Sequence, residues 1–210
     1  MYKNLLFDVD GTLWNSTEVV AKAWIKAAKE LGLPYEVITA DRLKKEFGIP
    51  MDEIFEHLFP DSKLPNLYEK MRDLLYVYEH DFLMANETDL AYPKVRETIQ
   101  ELSKNHKIFI VSNCQIGYIE LVMEKCGIGD YISDYLCYGD TLSPKNVTME
   151  KLMEKNGLSK ADTCYIGDIQ GDCDSTHLAG LDFVHASWGF GEVTGAELTV
   201  ATFADLINEV

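Results

Sequence analysis

The chain has no Cys-x-x-Cys pair, no clustered histidines, and no apolar run near the roughly 18 residues needed to span a bilayer. Its 210 residues also hold little positive charge, with 19 Lys and Arg against 35 Asp and Glu, a formal net charge of -16. That excess of acid repels a nucleic-acid backbone or an anionic membrane surface, so neither is expected as a main partner. A small phosphorylated metabolite stays compatible, because a metal ion and one well-placed Lys reverse the potential locally. The five cysteines, Cys114, Cys126, Cys137, Cys164 and Cys173, are odd in number and mostly border apolar residues. Free thiols in a reducing compartment are the expectation, not a disulfide framework. No secretory pattern opens the sequence, which predicts a soluble, cytoplasmic protein. Internal repeats, low-complexity tracts and Ser/Gly-rich linkers are likewise missing, and 47% hydrophobic residues are ample for a packed core.

What the chain does have begins at Leu5-Leu6-Phe7-Asp8-Val9-Asp10-Gly11-Thr12. A short apolar run stopped by two carboxylates and a glycine reads as a buried parallel strand that ends in a crevice. Strand alternation puts Asp8 and Asp10 on the same side, where two like charges call for a cation or a shared proton. From Ser16 to about Leu83 the periodicity is helical throughout: Ser16 to Gly32, Asp41 to Phe47, Met51 to Phe59 and Asn66 to Leu83. The aromatic run Tyr68, Tyr76, Tyr78 and Phe82 with Leu75 is read as packing within this block.

After Pro93, a good first-turn residue, helix and strand alternate. Expected strands are Lys107 to Ser112, about Tyr135 to Tyr138, Thr163 to Asp168, and a last one from Asp182 to His185. Expected helices are Pro93 to Asn105, Ile116 to Cys126, Val147 to Asn156, and a closing helix from Phe203. The predicted architecture is α/β, a doubly wound Rossmann-like parallel sheet over 1–14 and 87–210, with an inserted all-helical domain over 15–86.

Three apolar strands thus end at Asp8 and Asp10, at Ser112, and at Asp168, and parallel strands share one carboxyl edge. Asp8, Asp10, Asp168 and Asp172 offer hard oxygen ligands, which suit Mg²⁺ better than Zn²⁺. Ser112, Lys145 and exposed backbone N–H groups are donors for a phosphoryl group. Asp174 is read as a helix N-terminal acid favoured by the dipole. Acids for a cation beside donors for an anion suggest metal-assisted phosphoryl transfer.

Taken together, Asp8-Val9-Asp10-Gly11-Thr12, Ser112-Asn113 after an apolar strand, Lys145, and Gly167-Asp168-x-x-x-Asp172 resemble the haloacid dehalogenase superfamily. The resemblance spans essentially the whole chain and is strongest to the phosphoglycolate-phosphatase-like and β-phosphoglucomutase-like branch with a helical cap. It implies a Mg²⁺-dependent phosphatase in which Asp8 is the nucleophile that forms an aspartyl phosphate and Asp10 is the general acid and base. It further implies metal ligation by Asp8, the Asp10 carbonyl, Asp168 and Asp172. Val9, Asp10, Ser112, Asn113 and Lys145 would hold the phosphoryl oxygens, and the cap would close over the site and select the substrate. A phosphomutase of the same superfamily is the alternative activity. A receiver-like module that binds Mg²⁺ and phosphate without turnover is disfavoured by Asp10 and by the inserted helices. Trp14 stands where relatives often carry a small or aliphatic residue, and is read as core or hinge packing.

Overall fold

Asn4–Phe7 forms strand β1, and its four residues are all buried because it lies at the centre of a parallel sheet covered on both faces. The computed structural model describes all 210 residues. The other strands are β2 (Lys107–Ser112), β3 (Ile132–Cys137), β4 (Thr163–Gly167), β5 (Asp182–Ala186) and β6 (Leu198–Val200). Their order across the sheet is β3-β2-β1-β4-β5-β6, all neighbours being parallel. Strand order therefore reverses between β1 and β4. In an open α/β sheet that reversal opens a crevice beyond the carboxyl ends of the two strands.

The chain divides into two compact units, Met1–Asn15 with Asp89–Val210, and Ser16–Thr88. Helices α1 (Thr17–Glu30), α2 (Ala40–Glu46), α3 (Met51–Leu58) and α4 (Leu67–Ala85) make up the second. Trp24 of α1 is buried there, tilted against Phe55 with ring centroids 5.3 Å apart, and its Nε1 donates to buried Glu79 of α4 at 2.5 Å. The buried stripe of α4 is Met71, Leu75, Glu79 and Leu83, spaced four residues apart. That stripe corrects the sequence reading of an aromatic core. Tyr68 and Tyr76 are exposed, and Tyr78 spends its hydroxyl on Glu30 at the surface, since the phenols lie off the buried stripe.

In the first unit, α5 (Val95–Leu102), α6 (Tyr118–Cys126), α7 (Tyr138–Thr141), α8 (Lys145–Asn156), α9 (Gln170–Ala179) and α10 (Leu206–Glu209) complete the fold. Alternate strand residues Leu6, Phe109, Val111, Tyr165 and Phe183 pack on Met149, Leu152 and Met153 of α8 and Cys173 and Ala179 of α9. The two-residue period carries this face forward from Leu6 to Asp8, so the first acid emerges on the side occupied by α8 and α9. On the opposite face Phe7 stacks on Phe203 at 5.8 Å.

Several boundaries depart from expectation: β3 starts at Ile132, ahead of Tyr135, and α6 at Tyr118 rather than Ile116. Asp182–Ala186 is not the last strand: β6 adds three residues that pair Leu198 with Val184 and Val200 with Ala186. So short a segment has no alternation to read and is defined by its partner. Helix α5 begins at Val95, after Lys94 in a left-handed conformation, and leaves Pro93 outside. Helix α8 begins at Lys145 rather than Val147, which puts a cation in the first turn against the helix dipole.

Because Phe109 is 1% exposed within the strand–helix core, Phe109→Ala is expected to lower unfolding free energy by about 3–5 kcal/mol. Urea denaturation measures it, and a loss below about 1 kcal/mol would contradict this account of the core.

Candidate active site

Asp8 follows β1, Asp168 follows β4, and Asp172 lies in the first turn of α9, so the reversal of strand order gathers three carboxylates. One oxygen from each lies within 4.8 Å of the others, and all three side chains are buried. Glycines make this convergence possible. Gly11 has φ +86°, and a Cβ there or on Gly189 would overlap the Asp168 side chain.

Lys145 supplies the single cation in the cluster. Its Nζ donates to Asp8 Oδ1 at 3.0 Å and to Asp172 Oδ1 at 2.5 Å, and the residue is 3% exposed. The neighbouring lysines do otherwise: Lys151 donates to Ser143 Oγ, and Lys155 to Asp134, both from exposed positions. Burial alone would lower the pKa of Lys145, but the charges of Asp172 and Asp8 outweigh that and hold it above its ordinary value. One ammonium does not satisfy three carboxylates. Burial first, with the repulsion of Asp172 added, pushes Asp8 up to about 7 despite the opposing pull of Lys145. Burial and the charges of Asp172 and Asp8 push Asp168 up to about 8. The Phe190 N–H, which donates to Asp168 Oδ2 at 2.7 Å, opposes the rise without cancelling it.

Three carboxylates against one ammonium leave two negative charges, which a divalent cation would balance. All-oxygen, carboxylate-rich donors fit Mg²⁺ by ligand hardness. Asp174, by contrast, is exposed and accepts from Gln170 Nε2 at 2.8 Å.

Asp10 is partly buried, in a tight loop closed by Leu13 N–H on Val9 O at 2.8 Å and Gly11 N–H on Trp14 O at 2.9 Å, and its charge adds to the rise of Asp8. Ser112 is the buried last residue of β2, beside β1 at the same sheet edge, and Asn113 follows it. Val9 is buried, and its carbonyl closes the loop just described.

Sequence reasoning missed two residues. Tyr165, in the middle of β4, donates to Val111 O at 2.8 Å and approaches Asp8 Oδ1 at 3.2 Å. A phenol inside a wholly buried strand needs a partner for its hydroxyl, and that was a readable signal. Tyr118, the first residue of α6, donates to Asp10 Oδ1 at 3.0 Å, a contact no local pattern announces.

The chain matches known proteins along most of its length. A family model described as haloacid dehalogenase-like hydrolase matches residues 5–186. The chain is 26% identical over 210 residues to a phosphoglycolate phosphatase of Aquifex aeolicus (strain VF5), covering 97% of this chain and 94% of that protein. It is 26% identical over 196 residues to a phosphoglycolate phosphatase of Vibrio vulnificus (strain CMCP6), covering 90% and 85%. Among solved structures, a predicted phosphoglycolate phosphatase from Haemophilus somnus 129pt superposes with TM-score 0.85 at 22% identity, over 99% of this chain and 97% of that one. The chain belongs to the haloacid dehalogenase-like hydrolase family. Within the family it falls on the phosphoglycolate-phosphatase-like branch, among phosphatases.

The raised carboxyls have a measurable consequence. Ordinary Asp titrates near 3.9, so between about pH 4 and pH 8 the metal-free folded state binds more protons than the unfolded chain. Its stability therefore falls as pH rises through that window. Thermal denaturation with a chelator should show Tm decreasing from about pH 5.5 to about pH 8, and Mg²⁺ should raise Tm more at the higher pH. A Mg²⁺ shift no larger at the higher pH would contradict this electrostatic account.

Proposed function

We propose that the protein is a Mg²⁺-dependent phosphatase that hydrolyses a small phosphomonoester through an aspartyl-phosphate intermediate on Asp8. The observation that carries this reading is the buried Lys145 ammonium, bonded at once to Asp8 and Asp172 at the strand reversal. A carboxylate attacking a phosphate brings anion against anion, and a fixed cation on the nucleophile offsets the repulsion without solvent reorganisation. Asp8, Asp168, Asp172 and the Asp10 carbonyl would hold Mg²⁺, which when bound supplies further charge neutralisation.

In this reading an Asp8 carboxylate oxygen bonds to phosphorus while the bond to the leaving oxygen breaks. Asp10 gives that oxygen a proton, then takes one from the water that cleaves the aspartyl phosphate. Ser112 and the N–H groups of Val9, Asp10 and Asn113 hold the phosphoryl oxygens, and Tyr165 orients Asp8 from beneath. We assign substrate selection to the helical unit 16–88, read as a cap domain. No helix of the chain is long and apolar enough to cross a membrane. Since curated relatives are named phosphoglycolate phosphatases, 2-phosphoglycolate heads the substrates to assay.

Asp8→Asn is expected to abolish phosphoenzyme formation and reduce kcat by at least about 10⁴-fold, the scale on which loss of a covalent nucleophile acts. Rapid-quench labelling and phosphate release with Mg²⁺ across a panel of phosphomonoesters measure both. Near-wild-type turnover in Asp8→Asn would overturn the assignment.

A further inference from the structure

Asp10 is gripped at one oxygen by two donors from separate parts of the chain. Trp14 Nε1 donates to Asp10 Oδ1 at 2.9 Å, and Tyr118 Oη donates to the same Oδ1 at 3.0 Å. The two rings also meet each other edge to face, with centroids 5.7 Å apart, so each donor braces its partner. Neither ring is loose. Trp14 is 0% exposed and Tyr118 6%, and the backbone at Trp14 bridges both to Asp10 and to Ala91. On the next residues, Asn15 N–H donates to Leu90 O at 2.9 Å and Tyr92 N–H to Leu13 O at 3.0 Å, which pins the segment on its far side. Tyr118 opens α6 immediately after Gly117 in a left-handed conformation, at the end of the loop that leaves Ser112. The pair therefore ties Asp10 to the β1 loop and the β2 loop together.

We infer that Trp14 and Tyr118 are positioning residues that hold the Asp10 carboxyl in the orientation from which it gives and takes the catalytic proton. An indole N–H and a phenol O–H that reach one oxygen from separate, mutually packed rings fix the rotation of the carboxyl group. In the first step a carboxylate oxygen of Asp8 bonds to phosphorus. The phosphorus–oxygen bond of the ester breaks with its electron pair on the leaving oxygen, and that oxygen takes the proton from the Asp10 carboxyl. In the second, water oxygen bonds to phosphorus, the bond to Asp8 breaks with its pair returning to the carboxylate, and the water proton passes to the Asp10 carboxylate. With one donor removed the carboxyl group rotates, so proton delivery is mis-aimed while the nucleophile is untouched. The inference rests on the role proposed above for Asp10.

The test compares leaving groups that do and do not need a proton. Wild type, Tyr118→Phe, Trp14→Phe, the double variant and Asp10→Asn are assayed as full-length, Mg²⁺-loaded protein. The substrates are the alkyl phosphomonoester turned over fastest by wild type and p-nitrophenyl phosphate, whose phenolate leaves unprotonated. For Tyr118→Phe and Trp14→Phe, kcat on the alkyl ester should fall about tenfold each, as expected for loss of one charge-assisted hydrogen bond. KM and the nitrophenolate burst rate should stay within about twofold of wild type. Equal losses in the alkyl-ester kcat and the nitrophenolate burst rate, or no loss in either, would overturn the inference. If Asp10→Asn itself impairs the alkyl reaction no more than the burst, the acid–base reading of Asp10 falls. If Asp10→Asn is selective and the ring variants are not, only the positioning role falls. Tyr118→Phe deletes one oxygen and keeps the ring contacts, so the test stands even should Trp14→Phe fail to fold.

Discussion

Lys145 sets one positive charge among three buried carboxylates, and much of the sheet's carboxyl edge is arranged around that inequality. The ammonium bridges Asp8 and Asp172, whose oxygens are buried within 4.8 Å of each other, and its loss would leave uncompensated charge in the interior. Because it is one cation against three anions, the cluster remains two charges short of neutral. Burial, with this charge imbalance added, raises the carboxyls of Asp8 and Asp168, a balance that a divalent cation would shift. Stability is traded for function here. The same residues pack poorly as an electrostatic set until something positive joins them.

Local rules are broken at these positions. A lysine in the first turn of α8 opposes the helix dipole, and Gly11 takes a left-handed conformation where a side chain would strike Asp168. Such conflicts between local preference and tertiary arrangement concentrate at functional sites. The fold absorbs their cost with a core of strand residues such as Leu6, Phe109 and Phe183 packed on α8 and α9. Asp10 differs from Asp8 in its partners: an indole N–H and a phenol O–H meet on its Oδ1, whereas Asp8 accepts from a buried ammonium. Two acids one residue apart thus have different hydrogen-bond donors. Unequal environments allow unequal chemical roles.

The strands that carry the site were legible because they are buried on both faces and read as apolar runs stopped by acids: Leu5 to Phe7, Lys107 to Ser112, and Thr163 to Gly167. Strand β6 was not, since three residues of an edge strand owe their conformation to pairing with β5. The helices of 16–88 were visible in their periodicity, yet the tyrosines of α4 lie largely outside the buried stripe. Large aromatic residues at roughly helical spacing do not by themselves say which face is inward.

The sequence by itself determined the class of fold and the inventory of chemistry: acids at strand ends, a serine and a lysine in order along the chain, and helices inserted after the first strand. Those features are local, set by hydrophobic period, glycine and charge over a few residues. Only the tertiary structure decided which lysine is buried against Asp8, that Tyr165 reaches it from β4, and that Trp14 and Tyr118 share Asp10 Oδ1. The residues joined to one another in those contacts lie as far as 157 positions apart. Their meeting follows from strand order and register, and those are settled when the whole sheet buries its faces.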